Sequence, residues 1–374
     1  MTIDEIQTSR PRKTAADIRA YIKRYRELAP RQRVIPRVFY GYTPDAKMGG
    51  PYLKVRRLAE HFPPCEERFN LMYSVNGLWP EYDVCKQMKE LRVPLVFNAN
   101  GVYYRGWYGP GWERENERLR RLYQLADYIL FQSRFSRLSA ETFLGPPLCP
   151  HEVLYNAVDV SRFRPVAHPR ADDTPLVLLT AGSHVAPYRL EVPVRALALI
   201  RRSQPDARLL IAGTIPPEHK AEERLHRLNE LIAALGLQAH VTVLPPYSPA
   251  EAPRVYQRAS MLVHTQYNDV CPTTVLEAMA CGLPVVYSTS GGTPELVGAE
   301  AGVGIPAPLD WEAVHPPAPE AVAEAILAAA ARRTMMSRAA RERAVAHFDV
   351  QPWIRRHRQV FARVLRRSRY CPWF

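Results

Sequence analysis

The 374-residue sequence lacks any uninterrupted apolar run near the ~20 residues that a helix needs to cross a bilayer. Its first residues, MTIDEIQTSRPRK, lack the apolar core of a signal peptide. It has only six cysteines and no CxxC pair, which argues against a disulfide framework or a zinc site. These absences predict a protein of the reducing cytoplasm.

Acidic residues are fewer than basic ones: 37 Asp and Glu stand against 50 Lys and Arg, giving a net charge of +13. This charge suits phosphorylated ligands, an anionic membrane surface or nucleic acid. Much of the excess is arginine on predicted helices, where solvated helix faces explain it equally well. Because no nucleic-acid-binding module and no regular basic–aromatic alternation is present, we expect no nucleic-acid partner. Peripheral contact with an anionic membrane, at its inner face, stays open.

Strand-type apolar runs alternate with helical segments in both halves of the chain. This pattern predicts an α/β fold of two Rossmann-like, doubly wound domains that face a cleft. Asn156 and Asp159 are predicted turn formers ahead of a proline-rich linker near residues 165–175. The expected divisions are an N-terminal domain over residues 1–168, a C-terminal domain over 169–345 and a terminal helical segment over 346–374. Residues 1–32, with a helix over 15–28, form an appendage.

Residues 266–297 carry the most specific pattern, QYNDVCPTTVLEAMACGLPVVYSTSGGTPELV. The spacing predicts a helix over Thr273–Cys281, with Pro272 at its entrance. The N–H groups of a first helical turn lack helical partners and carry partial positive charge, so they can hold a phosphate. Glu277, one turn further along, and Asp269, eight residues before it, can accept hydrogen bonds from sugar hydroxyls.

The same stretch resembles the C-terminal signature of retaining glycosyltransferase family 4, also called glycosyl transferases group 1. LEAMACGLPVV and GGTPELV match that signature, while the first acid is Asp269 rather than the commoner Glu. The resemblance implies the GT-B fold, with the terminal helix crossing back to the N-terminal domain. It also implies an enzyme of hexosyltransferase type that moves a sugar from a nucleotide diphosphate sugar to an acceptor hydroxyl. The expected acceptor is a glycan, a lipid-linked or a small molecule, in polysaccharide or glycoconjugate biosynthesis.

Roles for four residues of this stretch follow from the resemblance. Glu277 would hold the ribose hydroxyls of the nucleotide. The amides of Thr273 and Thr274 would steady the phosphates. Asp269 would act at the catalytic centre, holding hydroxyls of the donor sugar near the reacting carbon.

Further upstream, the sequence departs from the family at the diphosphate site. Ser183 stands after Gly182 where relatives have an Arg, and Arg189 is the nearest candidate for their Lys. Because pyrophosphate needs countercharge, Arg189 or His184 would have to supply it. The segment that ends at Tyr247 lies against the nucleobase in relatives.

In the N-terminal half, the resemblance singles out two loops. Gly49 and Gly50 follow the strand predicted over 34–42, and glycines there let backbone approach a ligand. Asn100 stands in the aromatic loop of residues 98–109, where related enzymes often place a histidine. An amide cannot act as a base, but it can hold a sugar hydroxyl close to the reaction.

No Asp-Xaa-Asp element is present, so we expect no metal-held diphosphate and no cofactor besides the donor substrate. Backbone amides and cations would neutralise the leaving group. Two alternatives stay open. One is a nucleotide-sugar epimerase of the same fold. The other is a non-catalytic sugar- or nucleotide-binding protein, favoured by Ser183 and by the absent loop histidine.

Overall fold

The computed structural model describes residues 35–41, 50–66, 69–76, 80–166, 174–215 and 220–370, with the isolated positions 20 and 23. Gly49, and the helix predicted over 15–28 apart from those two positions, lie outside this part of the chain. The described residues form two compact units. The C-terminal unit comprises 156–310 and 314–350, and the N-terminal unit comprises the residues before 156 together with 311–313 and 351–370.

In the described part of the N-terminal unit, the sheet has five parallel strands, which lie side by side in chain order. Strands β2, β3 and β4 are buried at every residue, as expected of parallel strands that are covered on both faces. The strands are β1 (Val38–Phe39), β2 (Leu71–Val75), β3 (Leu95–Ala99), β4 (Tyr128–Phe131) and β5 (His151–Val153). The helices between them are α1 (Gly50–Ala59), α2 (Tyr82–Glu90), α3 (Arg105–Tyr108), α4 (Trp112–Leu125) and α5 (Arg134–Leu144).

Two later segments of the chain complete this unit. The Trp311 ring packs against three aromatic side chains, with ring centroids 5.0 to 5.5 Å away: Tyr104, Phe135 and Phe143. The terminal helix, α13 (Val350–Tyr370), buries Phe361 against Phe62 at 4.9 Å and Tyr73 at 5.9 Å. The N-terminal unit is therefore built from three separate pieces of sequence.

Among the residues that the structure describes, the sheet of the C-terminal unit has six parallel strands in the order β11-β10-β9-β6-β7-β8. Its first strand lies in the middle: β7 and β8 extend it on one side, and β9, β10 and β11 extend it on the other. The order reverses between β6 and β9, and open α/β sheets bind ligands at the carboxyl ends of strands at such a switch point. The strands are β6 (Val177–Ser183), β7 (Arg208–Thr214), β8 (Val241–Val243), β9 (Met261–His264), β10 (Val285–Ser288) and β11 (Gly302–Ile305).

Helices cover this second sheet. They are α6 (Tyr188–Ile200), α7 (Ala221–Ala234), α8 (Ala252–Gln257), α9 (Thr273–Ala280), α10 (Thr293–Val297), α11 (Pro319–Ala330) and α12 (Arg333–His347). The prediction of the α9 helix is confirmed, and within the described residues 35–41 the first predicted strand is limited to Val38–Phe39. Within the described ranges, no helix combines the length and the apolar character needed to span a bilayer.

Residues 156–165 belong to the C-terminal unit, ahead of the predicted linker. Asp159 forms the predicted turn, because its Oδ1 accepts hydrogen bonds from the amide and the hydroxyl of Ser161 at 2.9 and 2.6 Å. For Asn156 the prediction of a local turn is wrong. Its amide group instead reaches across the unit and donates to the carbonyl of Cys271 at 2.7 Å.

Candidate functional site

The N-terminus of α9 lies directly against the end of β6. Gly182, next to last in β6, has a φ of +109°, and a Cβ there would lie 3.2 Å from Thr274 Cγ2. The same Cβ would lie 3.9 Å from Nη2 of Arg189. Thr273 and Thr274 are the first two residues of α9 and both are half-buried. The first-turn amides of α9 and the Arg189 guanidinium therefore lie at one corner of the switch point.

Arg189 is a buried cation at this corner. It is 7% exposed, and its Nη1 donates a hydrogen bond to the carbonyl of Ser183. Its Nε is buried and has no hydrogen-bond partner in the described part of the chain. Burial lowers the pKa of Arg189, and the nearby Asp269 carboxylate opposes that shift. A positive charge with an unused donor is thus held beside the exposed Ser183, the residue that replaces the family's arginine.

The loop that carries Asp269 has a fixed backbone. Asn268, just before it, has a φ of +52°, and its N–H donates to Ser290 Oγ at 2.9 Å. The N–H of Gly292 donates to the carbonyl of Asp269 at 2.7 Å. A Cβ at Gly291 would lie 2.4 Å from that same carbonyl oxygen. Glycine is therefore required at position 291 of the signature, because the Asp269 loop packs directly on it.

Tyrosine hydroxyls tie the same loop to neighbouring segments. The N–H of Tyr267 donates to Tyr188 Oη at 3.0 Å, at the start of α6. The hydroxyl of Tyr267 in turn donates to the carbonyl of Pro308 at 2.7 Å, and Asn268 Nδ2 donates to the carbonyl of Asp310 at 3.2 Å. The backbone around Asp269 is held from both sides, so the loop that presents its carboxylate is preorganised.

Two buried histidines complete the switch point. His264, the last residue of β9, is 2% exposed, and its Nε2 lies 3.2 Å from Asp269 Oδ2. His184 is 1% exposed, and its Nε2 lies 3.0 Å from the carbonyl of Ala212. Burial lowers the pKa of His184 to about 4, and the charge of Arg189 adds to that shift. Sequence reasoning missed His264, and its only signal was a polar residue that ends an apolar strand.

Glu277 lies one turn inside α9, next to two tyrosines. It is 9% exposed, and its Oε2 accepts a hydrogen bond from Tyr256 Oη at 2.8 Å. Burial, followed by the charge of Glu277, raises the pKa of Tyr247 to about 12. The charge of Glu277 therefore acts on Tyr247, and Glu277 bonds directly to Tyr256, which the sequence did not single out.

Asn100 and Gly50 lie in the N-terminal unit. Gly50 begins α1. Asn100 follows β3, where its N–H donates to Asn76 Oδ1 at 3.1 Å and its own Oδ1 accepts from the amide of Gln132. Asn100 is thus a hydrogen-bonded member of a polar cluster at the carboxyl end of the first sheet. Across the described residues, no three His, Cys, Asp or Glu side chains are grouped to hold a metal ion.

Residues 165–343 match the family described as glycosyl transferases group 1. This segment is a group 1 glycosyl transferase domain. The group 1 domain contains every predicted site residue of the C-terminal unit, from Ser183 to Glu277. The two acids, the first turn of α9 and Arg189 therefore belong to the matched segment.

Curated relatives align with the group 1 domain and its surroundings. D-inositol 3-phosphate glycosyltransferase of Salinispora tropica is 31% identical over 157 residues, which cover 38% of this chain and 32% of that relative. The GDP-mannose-dependent alpha-(1-6)-phosphatidylinositol monomannoside mannosyltransferase of Mycolicibacterium smegmatis is 31% identical over 195 residues, 48% of each chain. The chain thus spans a third to a half of the length of these relatives.

A solved structure extends the likeness beyond the group 1 domain. Anabaena HepE in complex with UDP superimposes with a TM-score of 0.64 at 18% identity, covering 83% of this chain and 81% of that one. At this identity the likeness shows the fold alone. Two parallel sheets flanked by helices are the GT-B fold, so the prediction of fold class is confirmed.

The buried His184 is expected to make stability depend on pH. Its folded-state pKa of about 4 lies below its ordinary value of 6.5, so the unfolded chain binds a proton more readily between these values. The free energy of unfolding should therefore be fully retained above about pH 6.5. It should fall by up to ~1.4 kcal/mol per pH unit as the pH drops towards 4.

Comparison with His184→Gln isolates this contribution, because glutamine keeps a donor for the Ala212 carbonyl. The contribution of His357, whose pKa burial lowers to about 3, is common to both proteins. Chemical denaturation from pH 7 to 4 should show the stability of wild type falling more steeply than that of His184→Gln. Parallel curves would contradict the prediction.

Proposed function

We propose that the chain is a retaining glycosyltransferase of family 4, which moves a sugar from a nucleotide diphosphate sugar to an acceptor hydroxyl. The observation that carries this proposal is the convergence of four features at the switch point of the second sheet. These are the Asp269 carboxylate on its fixed loop, the first turn of α9, the buried Arg189 and Glu277 with its tyrosines. The names of the curated relatives, one of them GDP-mannose-dependent, support the same activity.

Each part of the donor meets a complementary group. The Arg189 guanidinium and the amides of Thr273 and Thr274 supply countercharge and donors for the diphosphate. Glu277 accepts hydrogen bonds from the ribose hydroxyls, and the bond from Tyr256 Oη orients its carboxylate. Tyr247, beside Glu277, lies on the side of the nucleobase.

The reaction in this proposal needs neither a metal nor a protein nucleophile. As the bond between the anomeric carbon and the phosphate breaks, the departing diphosphate gains charge, which Arg189 and the helix N-terminus neutralise. The departing phosphate oxygen accepts the proton of the attacking acceptor hydroxyl on the same face of the sugar, so configuration is retained. Asp269 holds donor-sugar hydroxyls, while Asn100 of the N-terminal unit is proposed to hold a sugar hydroxyl.

A donor screen tests the proposal. Purified protein is incubated with UDP-, GDP- and ADP-sugars, and stabilisation is measured by thermal shift, because a ligand that binds only the folded state raises its melting temperature. Donors that bind are then offered to glycan, lipid-linked and small-molecule acceptors, and NMR determines the anomeric configuration of the product. Retained configuration supports the proposal. Conversion of the donor without any acceptor would indicate an epimerase, and binding without turnover a non-catalytic protein.

We further propose that the protein is cytoplasmic and contacts the inner face of an anionic membrane through α13. This helix has seven arginines and no acidic residue. Its buried side packs in the N-terminal unit, and the rest of its circumference carries the exposed Arg355, Arg358, Arg366 and Arg367. Arginines near an anionic bilayer contribute about 1 kcal/mol each. A lipid-linked acceptor would be presented at the same surface.

Replacing these four arginines with glutamine should weaken binding to vesicles by about 100-fold or more, since the contributions of the four charges combine. Flotation with vesicles containing phosphatidylglycerol, compared with purely zwitterionic vesicles, measures the effect. A control with the same change in net charge replaces four exposed arginines of the C-terminal unit: Arg202, Arg208, Arg227 and Arg254. Equal loss of binding in the two variants would show a nonspecific charge effect and contradict the assignment to α13.

A further inference from the structure

His264 is buried beside the carboxylate that the proposed function places next to the donor sugar. It ends β9, is 2% exposed, and brings its Nε2 to 3.2 Å from Asp269 Oδ2. In the described part of the chain, this nitrogen has no aligned hydrogen bond despite the short distance. A buried polar group without a partner costs about 1–3 kcal/mol, so its presence calls for a role.

Asp269 needs such a neighbour because its backbone is fixed and its side chain is not. The Gly292 N–H holds the Asp269 carbonyl, but that contact leaves the rotation of the carboxylate undetermined. The side chain is 27% exposed, and the charge of Arg189 acts on it from the side of the diphosphate. A carboxylate between a sugar and a guanidinium would turn towards the cation unless another group held it.

The surroundings of His264 suit it to this task. The other histidine of the cluster, His184, interacts electrostatically with His264, and burial keeps it neutral above pH 4. His184 therefore places no positive charge beside His264 at neutral pH. With a proton on Nε2, His264 can donate a hydrogen bond to Asp269 Oδ2. The other three residues of its strand, Met261 to Val263, are apolar, so their side chains offer no competing donor.

We propose that His264 is a positioning residue: it holds Oδ2 of Asp269, so that the other oxygen accepts from a hydroxyl of the donor sugar. This role rests on the proposed function, since it requires a sugar next to Asp269. Binding of the sugar would draw the carboxylate into line with Nε2, which completes the hydrogen bond of the buried nitrogen. His264 itself touches neither the sugar nor the phosphates.

The proposed role predicts that replacing His264 impairs recognition of the sugar and leaves binding of the nucleotide nearly unchanged. In His264→Leu the affinity for the nucleoside diphosphate should stay within about twofold of wild type, because Arg189, α9 and Glu277 are unchanged. The additional affinity contributed by the sugar should disappear. The rate of donor turnover should fall by about 10- to 100-fold, the size of loss that follows removal of the residue that orients a metal ligand. In His264→Gln an amide donor is restored, and we expect most of the sugar-dependent affinity to return.

Calorimetry measures these affinities with UDP, GDP and ADP and with their glucose and mannose conjugates. His240→Leu is the matched control, since His240 lies in the same unit and contacts only the carbonyl of Ala207, at 3.2 Å, among the described contacts of its ring. Parallel loss of nucleotide and nucleotide-sugar affinity, or unchanged sugar recognition in His264→Leu, would overturn the positioning role alone. Failure of wild type to bind any of these nucleotides would overturn the proposed function, and the role of His264 with it.

Discussion

Replacing Glu277 with alanine is expected to weaken nucleotide binding by at least about 100-fold. A carboxylate that accepts two ribose hydroxyls makes charge-assisted hydrogen bonds of roughly 1.5–3 kcal/mol each. Glu277 is 9% exposed, and the described structure places Tyr256 Oη on its Oε2 at 2.8 Å, so its geometry is preset. Calorimetry with the nucleoside diphosphate that the donor screen identifies measures the loss.

The alanine variant also removes the acceptor of a buried phenol, which by itself costs about 1–3 kcal/mol of stability. Glu277→Gln separates the two effects, because its amide oxygen still accepts from Tyr256 while the negative charge is gone. We expect it to keep the melting temperature of wild type more closely and still bind nucleotide weakly. Glu300→Ala, at an exposed position, serves as the control. Wild-type affinity in Glu277→Ala would remove Glu277 from the nucleotide site.

A chain that ends at residue 349 is expected not to fold its N-terminal unit. Removing α13 deletes six apolar side chains that are each at most 5% exposed: Trp353, Ile354, Val360, Phe361, Val364 and Leu365. Burial of such side chains contributes about 1.5–3 kcal/mol each, so the total loss is comparable to the 5–15 kcal/mol that stabilises an ordinary domain. Hydrogen exchange should show loss of amide protection in β2, β3 and β4.

We expect the truncated chain to fail to fold because it lacks the buried side chains of α13. The variant with glutamine at the four exposed arginines of α13 is the control, because it keeps those buried side chains. That variant has a full-length α13 and should keep amide protection in the first sheet close to that of wild type. A truncated chain with native protection in β2, β3 and β4 would contradict the prediction. Protection in the six-stranded sheet should survive in both proteins, because α13 contributes no residue after Val350 to the C-terminal unit.

Much of the C-terminal unit could be predicted from its local sequence. The α9 helix carries its own signals, with Pro272 ahead of it and Gly282 after it, and β9 is a short apolar run. The strand order could not be predicted in this way, because it depends on pairing between β6 and β9, which are far apart in the chain. Only that pairing brings Ser183 and the Asp269 loop to one switch point.

For individual side chains too, local contacts could be predicted from the sequence and distant contacts could not. Asp159 makes contacts within three residues, so a turn rule was sufficient. Asn156 is also a residue type that favours turns, yet its side chain bonds to Cys271. A rule based on neighbouring residues cannot predict that contact. His264 was missed because a single histidine at a strand end is uninformative until the fold places a carboxylate 3.2 Å away.

The piecewise construction of the N-terminal unit also has a consequence for biosynthesis. Domains generally fold one after another as the ribosome delivers them, starting at the N-terminus. Here β1 to β5 are synthesised first, but Trp311 and α13 arrive only with or after the C-terminal unit. The apolar surfaces that await them, including Phe62, Tyr73 and Tyr104, stay uncovered on the nascent chain. The unit that is made first is therefore finished last, and chaperones have the longest access to the half that carries Asn100.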